Sequence, residues 1–144
     1  MIAKLSGLLD STGLDWAIID VNGVGYLISA STRTLRRLGS TGNAVSVHTE
    51  MWVSEDKMAL YGFADISERD WFRLLTTVQG VGARVALNIL SVLAPDRLTS
   101  AIAAQDKTTL CEADGVGPKL AARILNELKR SEERRVGKEC RSRW

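Results

Sequence analysis

Near Ala64 the hydrophobic pattern of this sequence changes its period from two to about 3.6, and no other feature constrains the fold as strongly. Before that point apolar and polar residues alternate, as along half-buried strands. After it they recur every three or four residues, as on one face of a helix. A single switch of this kind predicts an α+β chain, with strands and helices segregated into an N-terminal and a C-terminal part.

In the first part, Trp16 to Val21 and Val24 to Ala30 flank Asn22-Gly23, a dipeptide that supplies the positive φ values of a two-residue hairpin. Met1 to Leu9, Ala44 to Val53 and Met58 to Phe63 read as three further strands. The last two are joined by the polar tip Ser54-Glu55-Asp56-Lys57. Ser31 to Leu38, stopped by Gly39, suits a short helix. Five strands in some sixty residues close most economically as a small β-barrel, which leaves few exposed edges. This domain is expected over residues 1–64.

The second part, residues 65–130, is expected to be all helical. Ile66, Trp71, Phe72, Leu74, Leu75 and Val78 share a face, opened by Ser67 with Glu68 and Asp70 in a first turn that favours acidic side chains. Breaks are predicted at Gly80-Val81-Gly82, Ala94-Pro95-Asp96 and Asp114-Gly115-Val116-Gly117, with Pro118 as a first helical residue. Each part is near the lower size limit for an independent core, so mutual packing or oligomerisation is expected.

Several function classes fall away. No apolar run approaches the roughly 20 residues that cross a bilayer, and the N-terminus lacks an export signal, which points to the cytoplasm. Cys111, Cys140 and the lone His48 are too few for a zinc site, so no metal is expected. His48 reads as a barrel residue and Cys111 as core. No phosphate-binding loop of the nucleotide-hydrolysing type occurs, and no cofactor is expected. Trp52, Trp71 and Phe72 read as packing residues rather than stacking platforms. The whole chain holds 19 Lys/Arg against 17 Asp/Glu, but the last fourteen residues hold five and three of these, leaving the body balanced at fourteen each. A nucleic-acid partner must therefore be recognised by placed charges and backbone amides, because the net field steers nothing.

Sliding the sequence against itself by 35 positions lays Gln79–Leu90 over Asp114–Leu125 with six of twelve residues identical, including the whole Gly-Val-Gly core. Arg84 falls on Lys119, so each copy keeps a cation just after its second glycine. A glycine pair between helices permits a tight turn and exposes bare backbone where the next helix presents unpaired N–H groups. Such ends attract phosphate oxygens, and an adjacent cation adds charge-assisted contacts. Contacts of this type hold the sugar–phosphate backbone without reading bases. One Gly-x-Gly alone is more simply a helix–helix turn, and Gly23-Val24-Gly25 is a hairpin feature. The matched pair is what points to DNA.

These glycine pairs resemble tandem helix–hairpin–helix motifs, and the chain to about Arg130 resembles the RuvA family of bacterial Holliday-junction-binding proteins. The opening Met1-Ile2-x-Lys4-Leu5-x-Gly7, the block Asn22 to Tyr26, the stretch from Glu55-Asp56 to Phe63 and both Gly-Val-Gly helices match that family in order. The resemblance implies an OB-like β-barrel, then the helical domain, in a non-catalytic subunit that holds four-way junction DNA as a homotetramer. Stacking into an octamer stays open. Carried over, the DNA-binding residues are Gly80, Val81, Gly82, Arg84, Gly115, Val116, Gly117, Lys119 and Arg123, and the acidic pin at the junction centre is Glu55 and Asp56. Read without the resemblance, Glu55 and Asp56 form a solvated hairpin tip.

The chain departs from the family in two places. Ser54 stands where family members often carry a basic residue, and Lys57 follows the acidic pair. At the end, the family continues to a third domain that docks the ring-shaped ATPase motor RuvB, whereas Ser131 to Trp144 matches nothing there and reads as a scar on a shortened chain or, alternatively, as a basic tail touching DNA. Three other functions remain open from the sequence: a generic duplex binder, the DNA-gripping part of a repair enzyme, and a protein-interacting helical pair.

Overall fold

A computed structural model describes residues 2–129, so the expectations for residues 131–144 lie outside the described residues. The chain divides into two compact units, one ending at Asp70 and the other starting at Trp71.

The first unit is a closed barrel in the order β1-β2-β3-β5-β4, built from β1 (Lys4–Thr12), β2 (Trp16–Val21), β3 (Val24–Ser29), β4 (Ala44–Val53) and β5 (Met58–Phe63). All pairings are antiparallel except β3 with β5. β1 closes the ring by serving two neighbours: Lys4 to Leu8 pair with β4, and Leu8 to Thr12 pair with β2. The register slips between Leu9 and Ser11, a bulge that bends the strand from one partner to the other. This double duty explains why β1 starts later and runs further than the expected Met1 to Leu9. Asn22 (φ 52°) and Gly23 (φ 89°) make the predicted turn, and the Gly23 N–H donates to Asp20 Oδ1 at 2.7 Å. Alternate residues point inward, so Leu5, Leu9, Ala17, Ile19, Ile28 and Val47 form the core.

Between β3 and β4 lies α1 (Thr32–Leu38), capped by Ser31, whose Oγ accepts from the Thr34 N–H. Ser31 and Thr34 are buried together with Glu68 of α2 (Ile66–Thr76). The Ser31 hydroxyl donates to Glu68 Oε1 at 2.6 Å and the Thr34 hydroxyl to Oε2 at 2.9 Å. The start of α2 therefore differs from expectation. Asp65, not Ser67, is the capping side chain: its Oδ1 accepts from the Glu68 N–H at 3.0 Å and from the Ser67 hydroxyl at 2.8 Å. Glu68 is a buried acceptor rather than a surface charge favouring the helix dipole.

The second unit holds α3 (Ala83–Val92), α4 (Pro95–Ala103), the single turn α5 (Lys107–Leu110) and α6, residues 118–129. A break between α4 and α5 was not legible in the sequence; Gln105 takes a positive φ of 54° there, and Asp106 caps α5 through the Thr109 N–H. Phe72, Leu75, Ile89, Leu90, Leu98, Leu110 and Ile124 are fully buried. Cys111 is half-buried at the C-cap of α5, so it lines the edge of the core rather than its interior. Among the described residues, no single helix is long and apolar enough to cross a membrane.

Candidate nucleic-acid interface

The repeat seen in the sequence is reproduced hydrogen bond for hydrogen bond. In the first copy, the N–H groups of Thr77, Val78, Val81 and Ala86 donate to the carbonyls of Leu74, Leu75, Val78 and Gly82. In the second, the N–H groups of Glu112, Ala113, Val116 and Ala121 donate to those of Thr109, Leu110, Ala113 and Gly117. Every donor and acceptor is displaced by the same 35 residues.

Within each copy the two glycines do different work. Gly80 (φ 93°) and Gly115 (φ 87°) turn the chain through a conformation that side chains with a Cβ rarely adopt. Each also lies against the other copy: a Cβ on Gly80 would sit 3.3 Å from Leu120 Cδ1, and one on Gly115 would sit 3.4 Å from Val85 Cγ2. Gly82 is different, with an extended backbone (φ −87°, ψ −179°) that any residue could adopt. It caps α3 without supplying a side chain of its own to the N–H groups of the first turn. Around the Cβ positions of Gly82 and Gly117 there is nothing within 4 Å. The first glycine of each pair thus builds the hairpin, and the second keeps the space beyond it clear.

The two copies face each other reciprocally. Asn88 Nδ2 donates to the Asp114 carbonyl at 3.1 Å, and Arg123 Nη1 donates to the Gln79 carbonyl at 3.2 Å. Asn88 and Arg123 are equivalent under the repeat, as are Gln79 and Asp114, so the arrangement is isologous, like a two-fold dimer interface inside one chain. Such an approximate dyad sets both helix starts on one pair of related notches.

Val81 and Val116 are buried at 5% and 7% exposure, so they anchor the hairpins from beneath rather than offering side chains to a ligand. Arg84 and Lys119 are exposed in the first turns of α3 and α6. Arg123 is exposed but already holds the opposite hairpin through one nitrogen. Asn88 was missed in the sequence, because its alignment with Arg123 pairs two unlike residues and looks like noise. Glu55 and Asp56 are exposed at the β4–β5 tip, which is closed by the Ser54 N–H donating to the Lys57 carbonyl at 2.8 Å. Among the described residues, no group of three or more His, Cys, Asp or Glu could hold a metal ion. Trp52 packs edge-to-face on Tyr61 with ring centroids 6.5 Å apart, and Phe72 is fully buried, so both pack as expected.

The different roles of the glycines predict different costs. Gly80→Ala should destabilise the second unit by about 1–2 kcal/mol, from backbone strain and the close contact. Gly82→Ala should cost under about 1 kcal/mol, the usual loss at an N-cap. Urea denaturation of the two variants separates them, and equal costs would contradict the division of labour.

Comparisons with known proteins bear on both units. Residues 1–62 match the family RuvA N terminal domain, and residues 72–130 match the SAM-like Helix-hairpin-helix tandem. The chain is 79% identical over 129 residues to the Holliday junction branch migration complex subunit RuvA of Rhodospirillum centenum, covering 90% of this chain and 63% of that protein. It is 64% identical to the protein of the same name from Paramagnetospirillum magneticum, and 60% identical to that from Novosphingobium aromaticivorans, in each case over 90% of this chain. Those matches cover 60% and 63% of the two relatives, so the chain spans about three-fifths of the length of the proteins it matches.

Proposed function

The chain belongs to the RuvA family, and from that premise we propose that it is a structure-specific DNA-binding subunit for recombination and repair in the cytoplasm, recognising four-way junctions by their backbone. The observation that carries this reading is the matched pair of hairpins with clear space at Gly82 and Gly117. A phosphate oxygen would enter each space and accept from first-turn amides, with Arg84 and Lys119 adding charge. Val81 and Val116 hold the hairpins in shape. Because such contacts read no base edges, binding is independent of sequence. Four copies surround the junction as a homotetramer, one per arm. An ATP-driven partner supplies the motion, and this chain itself catalyses nothing.

In the same reading, Glu55 and Asp56 act by repulsion. Four tips near the crossover bring eight carboxylates toward the axis, disfavouring phosphates there and holding the strands apart. Lys57 beside them moderates this field. Glu55→Ala with Asp56→Ala should leave junction affinity within about threefold, because a repulsive group lends no binding energy. It should shift the fluorescence-transfer signature between labelled arms away from the open square form. Weaker binding with an unchanged arm geometry would contradict a repulsive role.

Competition gel shifts test the function as a whole. A four-way junction should displace a labelled junction at concentrations at least tenfold below those of a linear duplex of the same sequence, in complexes containing four copies by mass. Equal competition would leave only a generic duplex binder.

A further inference from the structure

We propose that Asn88 and Arg123 are reciprocal positioning residues that set the spacing of the two hairpins, so that both can hold one duplex at once. The proposal rests on the DNA-binding reading above and adds to it a role for side chains that need not touch DNA. Each donates across the dyad to the carbonyl immediately before the other copy's first glycine: Asn88 to Asp114 at 3.1 Å, Arg123 to Gln79 at 3.2 Å. That carbonyl belongs to the peptide whose N–H is Gly115 or Gly80, where the chain takes its positive φ. Each bond therefore fixes the hairpin at the residue where its direction is decided. Apolar side chains also pack there, Leu120 beside Gly80 and Val85 beside Gly115. Apolar contacts of this kind resist separation but tolerate sliding, whereas a directed N–H···O bond does not.

The functional consequence follows from bivalency. When two grips are held at the right separation, the second phosphate contact is made within an already formed complex, and its gain is lost if the separation drifts. Asn88 is the informative position because it carries no charge. Replacing it removes no cation that a phosphate could have met.

The test measures duplex binding by fluorescence anisotropy over a series of salt concentrations for the parent protein and for Asn88→Ala, with thermal unfolding of each recorded by circular dichroism. Each phosphate engaged contributes about −0.9 to the slope of log K against log salt. Asn88→Ala should weaken binding about tenfold and make the slope shallower, as one hairpin disengages. An unchanged affinity would overturn the proposal. So would a weakened affinity with an unchanged slope, which is the mark of a merely destabilised protein. The latch is also read without DNA: Asn88→Ala should shift the Gly115 amide nitrogen resonance and Arg123→Ala that of Gly80, and no shift in either overturns it. If the parent protein binds no duplex while both shifts occur, the DNA-binding reading fails and the latch between hairpins stands as a structural feature without that function.

Discussion

Replacing Gly82 and Gly117 together with Val should raise the dissociation constant for junction and duplex DNA by about a hundredfold or more, and should leave the protein folded. A charge-assisted hydrogen bond from an amide to a phosphate contributes about 1.5–3 kcal/mol, so blocking one at each hairpin removes some two to four powers of ten in affinity. The same substitutions cost the fold little. Both positions have open space where the new side chains would stand, and Gly82 already has a backbone conformation that Val accepts. Val is a poorer N-cap than Gly, at a cost of roughly 1 kcal/mol or less per helix. For the two helices together that amounts to a fall of at most about 16 °C in melting temperature for a unit this small. Valine at Gly80 and Gly115 would instead disrupt the hairpins themselves, so loss of binding there could not be told from loss of structure. Anisotropy titrations of Gly82→Val/Gly117→Val, paired with a melting curve, make the distinction, and unimpaired binding would refute the assignment of these notches to phosphate.

The second large effect lies in the barrel unit. Glu68→Ala should destabilise it by about 2–4 kcal/mol, because the buried hydroxyls of Ser31 and Thr34 lose their acceptor. Glu68→Gln keeps a side-chain oxygen and most of the volume, and should cost far less. Burial raises the Glu68 pKa above its ordinary 4.5, against the opposing hydrogen bonds from Ser31 and Thr34. A raised pKa in the folded state means the fold binds the proton more tightly than the unfolded chain does. The contribution of Glu68 to stability is therefore fully present below about pH 4.5 and is lost as the pH rises through the raised value. Asp65 opposes it. Burial would raise its pKa too, but hydrogen bonds from the Glu68 N–H, Ser67 and Arg37 outweigh this and hold it below 3.8. Its contribution is present above pH 3.8 and is lost as the pH falls through the lowered value. Chemical denaturation between pH 4 and 8 should show Glu68→Gln gaining on the parent as the pH rises. A difference that stays constant with pH would remove Glu68 from the account.

Much of this was legible from local signals. The Asn22-Gly23 turn, the short helix ending at Gly39, and the breaks at Gly80-Val81-Gly82 and Pro95 all came from residues whose backbone preferences act alone. The doubled hairpin was legible because it is written twice. What escaped reading depended on partners distant in sequence. Asp65 displaced Ser67 as the cap, and Glu68 turned inward, because the hydroxyls of Ser31 and Thr34, more than thirty residues earlier, needed an acceptor. The shift of β1 toward Thr12 depended on its pairing with two strands at once. Asn88 and Arg123 were unreadable as a pair for a related reason: two unlike side chains perform the same act, since what they share is a donor N–H and a carbonyl across the dyad.

Hydroxyl-radical footprinting of a four-way junction tests the central claim most directly, because it maps which sugars of the backbone the protein covers. The account predicts two short protected patches on each arm, one on each strand facing a common groove, at the same positions whatever the base sequence. Gly82→Val should erase one patch and Gly117→Val the other. Continuous protection along the arms, or two patches that survive both substitutions, would contradict it.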